Sequence, residues 1–311
     1  MIRVAAIDCG TNSTRLLVAE AQPDGFRTID RRMIITRLGR GVNERRVLAP
    51  EALERTLATV ADYAAICGDL NVERIRVTGT SAVRDAMNRE EFFRGVRMLT
   101  GTEPELLSGA EEARATFLGA RSDLPGNEKV LVIDIGGGST EFIYGELEPE
   151  ELISLDIGCV RMFEKHLLSD PPSEKELTEL RADVTGEIDR ARAHLGVRPG
   201  ARFVGVAGTV AQLALLKAGA PVYDPDVTHH AVLSHGDVRM LARRLARLDY
   251  DRRKRMTGMD AGRADIIVAG ALILEVAMEV FDAAELLTSE KDILDGLVMR
   301  LLWDLQQSGQ T

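Results

Sequence analysis

Asp8-Cys9-Gly10-Thr11-Asn12-Ser13-Thr14 follows the apolar run Val4 to Ile7 and leads into a second one, Leu16 to Ala19. The arrangement returns at Asp134-Ile135-Gly136-Gly137-Gly138-Ser139-Thr140, between Val130 to Ile133 and Phe142 to Gly145. Setting Asp8 on Asp134 brings Gly10 onto Gly136, Ser13 onto Ser139, Thr14 onto Thr140 and Arg15 onto Glu141, all at the offset 134 − 8 = 126. A single offset over so many positions marks an internal duplication. The fold expected is therefore α/β, built from two similar halves with one strand-turn-strand device near the start of each.

The composition of the turns points to phosphate. Gly, Ser, Thr and Asn can aim several backbone N–H groups into one concavity, and glycine reaches the positive φ that such nests use. The Asp at the head of each turn would repel a bare phosphate but attract a hard cation that phosphate also coordinates. Mg²⁺-phosphate satisfies both halves of the device, with Mn²⁺ as the alternative cation. A plain hairpin closure explains one such turn and does not explain the matched copy. A third turn, Phe203-Val204-Gly205-Val206-Ala207-Gly208-Thr209, runs a strand into a helix start, where unpaired amides and the helix dipole favour an anion. Alone it reads equally as a tight strand-to-helix turn without a ligand.

The 311 residues suffice for two cores. No run approaches the roughly 18 apolar residues that span a membrane, and Met1-Ile2-Arg3 enters a strand directly, with no leader pattern. Cys9, Cys67 and Cys159 are odd in number and lack metal or disulfide spacing, which fits a reducing, cytoplasmic setting. Cys9, inside the first turn, reads as a small buried filler. A net charge of −10 argues against nucleic-acid or membrane-surface partners, so any polyanion must meet a local basic patch. Arg15, Arg84, Arg161 and Arg263 lie near the turns and suit bidentate phosphate contacts. Arg243, Arg244, Arg247 and Arg252 to Arg255 read as solvated helix surface.

Periodicity predicts helices at 50–65, 90–99, 108–121, 173–194, 234–248, 264–280 and 293–305, with strands at 74–78, 105–107, 152–155, 203–206 and 285–288. Ser108 with Glu111, Ser173 with Glu176 and Ser234 with Asp237 have capping-box spacing. Asp123-Leu124-Pro125-Gly126-Asn127 reads as a linker, giving an N-terminal half at 1–124 and a C-terminal half at 125–311. His229 and His230 are neighbours; on an extended chain they point apart, which favours a surface or core role over a metal site. Glu112 and Glu141 are candidates to orient or deprotonate water. Dipole complementarity explains Glu112 equally well, and alternation leaves the direction of Glu141 open.

These motifs resemble the exopolyphosphatase and guanosine pentaphosphate phosphatase family, Ppx/GppA, of the actin-like (ribonuclease H-like) superfamily that includes the sugar kinases. The resemblance covers essentially the whole chain. It rests on both turns, on Gly79-Thr80-Ser81-Ala82-Val83-Arg84, and on Ser108-Gly109-Ala110-Glu111-Glu112-Ala113-Arg114. Gly158-Cys159-Val160-Arg161, Ala207-Gly208-Thr209 and Arg263-Ala264-Asp265 agree as well. It implies two actin-like domains with the active site in the cleft between them, and an Mg²⁺-dependent hydrolase of polyphosphate, guanosine pentaphosphate or both.

The resemblance also implies roles. Glu112 would be the base and Glu141 would assist it. Asp8, Asp134 and Glu141 would hold metal. Gly10, Thr11, Asn12, Ser13, Arg84, Gly136, Gly137, Gly138, Ser139, Thr140, Gly208 and Thr209 would receive phosphate. It further implies a homodimer, a link to the stringent response, and a terminal helix that packs back on the first lobe. The first turn has Gly-Thr-Asn-Ser where the family has Gly-Ser-Asn-Ser. Long family members continue with a further helical region, so a preference for short polyphosphate is expected here. A kinase of the same superfamily fits the Glu111-Glu112 motif poorly. A non-catalytic sensor of polyphosphate or guanosine tetraphosphate would not need Glu112, Glu141, Asp8 and Asp134 together.

Overall fold

The computed structural model describes residues 2–307. The chain divides into two compact units, one ending at Gly119 and resuming at Ile293, the other running Ala120–Asp292. The first contains β1 (Arg3–Cys9), β2 (Thr14–Gln22), β3 (Gly25–Ile34), α1 (Val42–Arg45), α2 (Pro50–Asp69), β4 (Arg74–Gly79), α3 (Ser81–Asp85), α4 (Arg89–Thr100), β5 (Glu105–Leu106) and α5 (Gly109–Arg121). Its sheet has the order β3-β2-β1-β4-β5, with β1 antiparallel to β2 and parallel to β4. The edge strand β3 is mostly exposed and has no apolar alternation to announce it in the sequence.

The second unit continues with β6 (Val130–Ile135), β7 (Thr140–Gly145), β8 (Pro149–Leu155), α6 (Cys159–His166), α7 (Glu174–His194), β9 (Arg202–Val206), α8 (Ala207–Ala218) and α9 (Pro225–Thr228). It ends with β10 (Val232–Ser234), α10 (His235–Ala246), α11 (Tyr250–Lys254), α12 (Ile267–Val280) and β11 (Glu285–Thr288). Read from β8, its sheet runs β8-β7-β6-β9-β11-β10, which repeats the first order and adds one edge strand. The duplication is kept in register: Asp8 faces Arg15 and Cys9 faces Thr14, while Asp134 faces Glu141 and Ile135 faces Thr140, the same offset of 134 − 8 = 126 on both strands.

Burial follows the apolar pattern. Ile7, Leu16, Val77, Tyr63 and Phe92 lie in one core of the first unit, under α2 and α4. In the second, α12 is apolar all round and buried through most of its length, as the uniform sequence 264–280 predicts. Its buried Glu275 is answered by Arg181 at 3.3 Å. The boxes at Ser173 and Ser234 are fully formed, each serine oxygen accepting from the N–H three residues on.

Two departures concern the division of the chain. The boundary falls ahead of Asp123–Asn127, because the buried guanidinium of Arg121 donates to the carbonyls of Leu124 at 2.6 Å and Glu146 at 2.7 Å, and to that of Gly126. That staple folds the polar turn onto the second unit. The terminal helix α13 (Ile293–Gln307) belongs to the first unit: Ile293, Leu294, Leu297 and Val298 pack on Val4, Ala6, Leu17 and Ala19, the face of β1 and β2 away from α2. Buried Asp295 takes both Arg31 nitrogens, at 2.9 and 3.2 Å or closer. Residues 293 onward are grouped with the first unit, where the sequence division at 125 put them in the second half with the terminal helix packing back on the first lobe.

A methyl group at Gly296 would overlap the carbonyl of Ala115 in α5, so that contact exists only for glycine. Gly296→Ala is expected to lower stability by about 1–3 kcal/mol. Urea unfolding with a wild-type midpoint would show that α13 does not rest on this contact.

Candidate active site

The first turn is shaped by its carbonyls. Gly10 N–H donates to Ser13 O at 3.0 Å, closing the hairpin. The carbonyls of Thr11 and Asn12 accept from Gly39 N–H at 2.8 Å and Arg37 N–H at 2.9 Å. A planar peptide points its C=O and the next N–H in opposite directions, so the amides of Asn12 and Ser13 face away from the 37–39 segment. Asn12 is buried, yet its Nδ2 has no hydrogen-bond partner. An unpaired buried donor costs about 1–3 kcal/mol and is the mark of a group awaiting an acceptor.

The second turn repeats the device with different donors. Gly136 N–H donates to Ser139 O at 3.0 Å. The carbonyls of Gly136 and Gly137 accept from the first amides of α6: Cys159 at 3.0 Å, Val160 at 2.9 Å and Arg161 at 3.0 Å. Arg161 Nε adds a bond of 2.7 Å to Gly138 O. These are amides that a helix start leaves without intrahelical partners, and here they fix the turn. The amides of Gly137 and Gly138 consequently face away from α6.

The glycines serve a purpose other than the one their sequence predicts. None in either turn has a positive φ. They allow close approach: a Cβ at Gly10 or Gly136 would sit 3.1 or 3.0 Å from the carbonyl of Ser13 or Ser139, and one at Gly158 would overlap the backbone of Gly137.

Charge distinguishes the two copies. Asp8 is buried and its Oδ2 accepts from Arg15 Nη2 at 2.7 Å and Nε at 3.3 Å, while its Oδ1 accepts from Thr78 Oγ1 at 3.2 Å. In the second unit the partner across the hairpin is Glu141, so two carboxylates stand directly opposite. Like charges so placed repel, and a divalent cation relieves the repulsion. Glu141 Oε1 also accepts from Ser154 Oγ at 2.6 Å. The acidic pair Asp134 and Glu141 thus fits a hard cation; Asp8 already has a cation in Arg15.

Glu112 lies in the first turn of α5, nearly buried, with Oε2 held by Arg84 Nη1 at 2.7 Å. The same nitrogen donates to Leu107 O at 2.6 Å. Neighbouring Glu111 is taken up by capping: its Oε2 accepts from the amide and the hydroxyl of Ser108, both at 2.7 Å. These bonds hold the Glu111 carboxyl below its ordinary range, with the Ser108 amide the largest cause. The Arg84 helix adjoins the first turn through Gly39, whose missing Cβ would lie 3.1 Å from Ala82 Cβ and overlap Thr11. The structure therefore brings Asp8, the 10–13 turn, Arg84 and Glu112 into one neighbourhood.

In the second unit β9 runs parallel to β6, placing Val206 beside Asp134 and the third turn beside the second. Ala207 takes φ 68, a left-handed conformation that costs an L residue about 1–2 kcal/mol. Gly208 follows, so close beneath the Arg263 guanidinium that a side chain would collide with it. The four arginines expected near phosphate all lie by these turns, and each is engaged with protein groups: Arg15 with Asp8, Arg84 with Glu112, Arg161 with Gly138, and Arg263 with Asp260 at 4.0 Å.

Three further features depart from or extend the sequence reading. His229 and His230 do not point apart: φ 57 at His230 breaks the alternation and stacks the rings with centroids 3.9 Å apart. Both reach Asp123, His229 Nε2 at 2.7 Å and His230 Nε2 at 3.5 Å. The ligand atoms lie within 4.8 Å of one another, but His229 Nδ1 accepts the Glu290 N–H at 3.1 Å. That fixes the neutral ring's proton on Nε2, which donates to Asp123, the reverse of the tautomer a metal there requires. Arg253 is buried rather than solvated, donating to Leu248 O, Ala264 O and Asp170. Arg37 and Gly39 shape the first turn through their backbone N–H groups, which carry no signal in the sequence.

With both turns in place, similarity to known proteins can be added. Residues 17–304 match the model of the Ppx/GppA phosphatase family. The chain belongs to that family. It is 38% identical to Exopolyphosphatase 2 of Mycobacterium tuberculosis, over 97% of this chain and 99% of that protein. Identity to the guanosine-5'-triphosphate,3'-diphosphate pyrophosphatase of Vibrio parahaemolyticus is 28%, over 98% of this chain and 60% of that one. The crystal structure of an exopolyphosphatase-like protein superposes with TM-score 0.90 at 34% identity, covering 98% of this chain and all (100%) of that one. The Ppx/GppA family member of Aquifex aeolicus gives 0.83 at 31% identity, covering 97% and 98%. The duplicated α/β architecture read from the sequence is thus the architecture of this family.

Burial pushes all the cysteine thiols up: Cys67 and Cys159 to about 11, and Cys9 further, with the nearby Asp8 adding to desolvation. A raised pKa leaves the unreactive thiol form at neutral pH. Cys9, Cys67 and Cys159 are therefore expected to resist a disulfide reagent until the protein unfolds, and rapid labelling of Cys9 in native protein would contradict its burial. Gly158→Ala is expected to displace the second turn and reduce turnover at least tenfold, with little change in far-ultraviolet dichroism. Undiminished turnover would mean that α6 does not set the turn.

Proposed function

We propose that this protein is a phosphoanhydride hydrolase that removes the terminal phosphate of inorganic polyphosphate. The observation that carries the reading is the nearly buried Glu112 carboxylate, fixed by Arg84 at 2.7 Å beside a turn whose Asn12 amide lacks an acceptor. Its support from outside the structure is the 38% identity with Exopolyphosphatase 2 along nearly all of that protein. Guanosine pentaphosphate is the second substrate in this reading, favoured by the weaker 28% likeness to a guanosine-5'-triphosphate,3'-diphosphate pyrophosphatase.

In this scheme Glu112 accepts a proton from water, and the Arg84 bond keeps the carboxylate from turning away. The amides of Asn12, Ser13, Gly137 and Gly138, with Asn12 Nδ2 and the hydroxyls of Thr11, Ser13, Ser139, Thr140 and Thr209, bind phosphoryl oxygens. Gly10, Gly136 and Gly208 let the backbone come close enough to do so. Asp134 and Glu141 would hold Mg²⁺ or Mn²⁺, and the arginine-paired Asp8 orients the first turn. The cation would neutralise charge on the bridging and leaving oxygens of the anhydride. Each turn is short and grips only a few phosphoryl groups, so short polyphosphate suffices as substrate. Assembly as a homodimer and a cytoplasmic location belong to the same reading; among the described residues no helix is long and apolar enough to cross a membrane.

Glu112→Gln is expected to reduce phosphate release from tripolyphosphate about 10²–10⁴-fold, the range of a lost general base, while substrate still binds. Arg84→Lys is expected to lower kcat more than it changes KM, since it frees the carboxylate. Phosphate-release assays with Mg²⁺ decide both. Wild-type turnover by Glu112→Gln removes it from the mechanism, and release from guanosine pentaphosphate alone reverses the substrate order.

A further inference from the structure

The outer face of α10 carries Arg239, Arg243, Arg244 and Arg247, all exposed, along a groove of about 630 Å³ that Gly236, Met240 and Leu248 complete. Arg239, Arg243 and Arg247 stand four residues apart in one row, a line of about 12 Å along the helix. Gly236, Met240 and Arg244 form the adjoining row. Among the described residues none of these four guanidiniums makes an ion pair or a hydrogen bond with another side chain or with the backbone. The chain as a whole has 49 acidic residues against 39 basic ones. The arginines at the turns are all engaged, and Arg252, in the adjacent α11, is paired with Asp249 at 3.3 Å.

Like charges four residues apart on a helix repel one another. The dipole at the helix end rewards cations in the last turn, Arg243 and Arg244, and does not reach Arg239. The row is thus an uncompensated positive strip on a protein whose net charge is −10.

We infer that this groove, which no residue of the glycine turns lines, is a second binding track for the body of a long polyphosphate chain. The inference rests on the hydrolase reading for the identity of the polymer, and on the groove itself for the site. Four unpaired guanidinium forks match the oxygens of successive phosphoryl groups bidentately. The lining has no Trp, Tyr or Phe, so it lacks the platforms on which the bases of a single-stranded nucleic acid stack. Met240 and Leu248 are its only large apolar side chains, too few to anchor it in a lipid surface. A chain held here stays with the protein between successive cleavages of its end, a grip that the two short turns do not provide for a long polymer.

The test is binding of labelled long-chain polyphosphate, without divalent cation, to wild-type protein and to the triple variant R239Q/R243Q/R247Q. Affinity is expected to fall at least tenfold, and the slope of log K against log salt to become shallower by about two, at roughly 0.7 per lost charge. Phosphate release from tripolyphosphate, which is too short to need the groove, is expected to be unchanged, and the triple lysine variant should keep most of the affinity. The thermal midpoint of each variant verifies the fold. Unchanged affinity of the glutamine variant overturns the inference. So does an equal loss of affinity for a single-stranded oligonucleotide of the same charge, or for anionic vesicles, which would make the face a general polyanion patch. Dissociation of an oligomer with polyphosphate binding intact overturns it too, in favour of a contact between copies. If wild-type protein binds the polymer through this face but releases no phosphate, the hydrolase reading fails and the groove stands.

Discussion

Both glycine turns depend on donors that come from outside their own hairpins. In the first unit the amides of Arg37 and Gly39 draw the carbonyls of Thr11 and Asn12 to one side; in the second the opening amides of α6 do the same to Gly136 and Gly137. Because the peptide is planar, turning the carbonyls one way turns the following N–H groups the other way. The amide-bearing surface of each turn is therefore created by what lies behind it. This explains why Gly158, which is not in a turn, is as constrained as the glycines that are.

The duplication gave one framework two electrostatic outcomes. The same register puts Arg15 opposite Asp8 and Glu141 opposite Asp134. A salt bridge neutralises the first aspartate and stiffens the hairpin end. The second hairpin places two carboxylates opposite one another. One difference at one matched position, Arg15 against Glu141, gives the two hairpins opposite charge partners for their aspartates.

Much of this was legible before the structure. The repeat offset, the strands flanking each turn, the capping boxes and the buried character of α12 follow from spacing and apolar period. The role of Glu111 in capping was readable from Ser108, and it left Glu112 as the carboxylate of interest. Other features were not legible, each for a physical reason. The stacking of His229 on His230 depends on a left-handed φ at a residue that is not glycine. The buried state of Arg253 depends on carbonyls distant in the chain, and the unit boundary ahead of Asp123 depends on where the Arg121 guanidinium finds its acceptors.

The sequence by itself determined the duplicated α/β plan, the two polar turns and the residue types at their heads, because local spacing and alternation encode secondary structure and its repeats. Only the tertiary structure decided that Asp8 is paired with Arg15 and which way each turn faces. It also decided why Gly10, Gly136 and Gly158 are required: a Cβ would press on the carbonyls of Ser13 and Ser139 or overlap the Gly137 backbone, while none of the three has a positive φ. Those outcomes are set by groups brought together from distant parts of the chain, and hydrogen-bond direction across such contacts leaves no periodic trace in the order of residues.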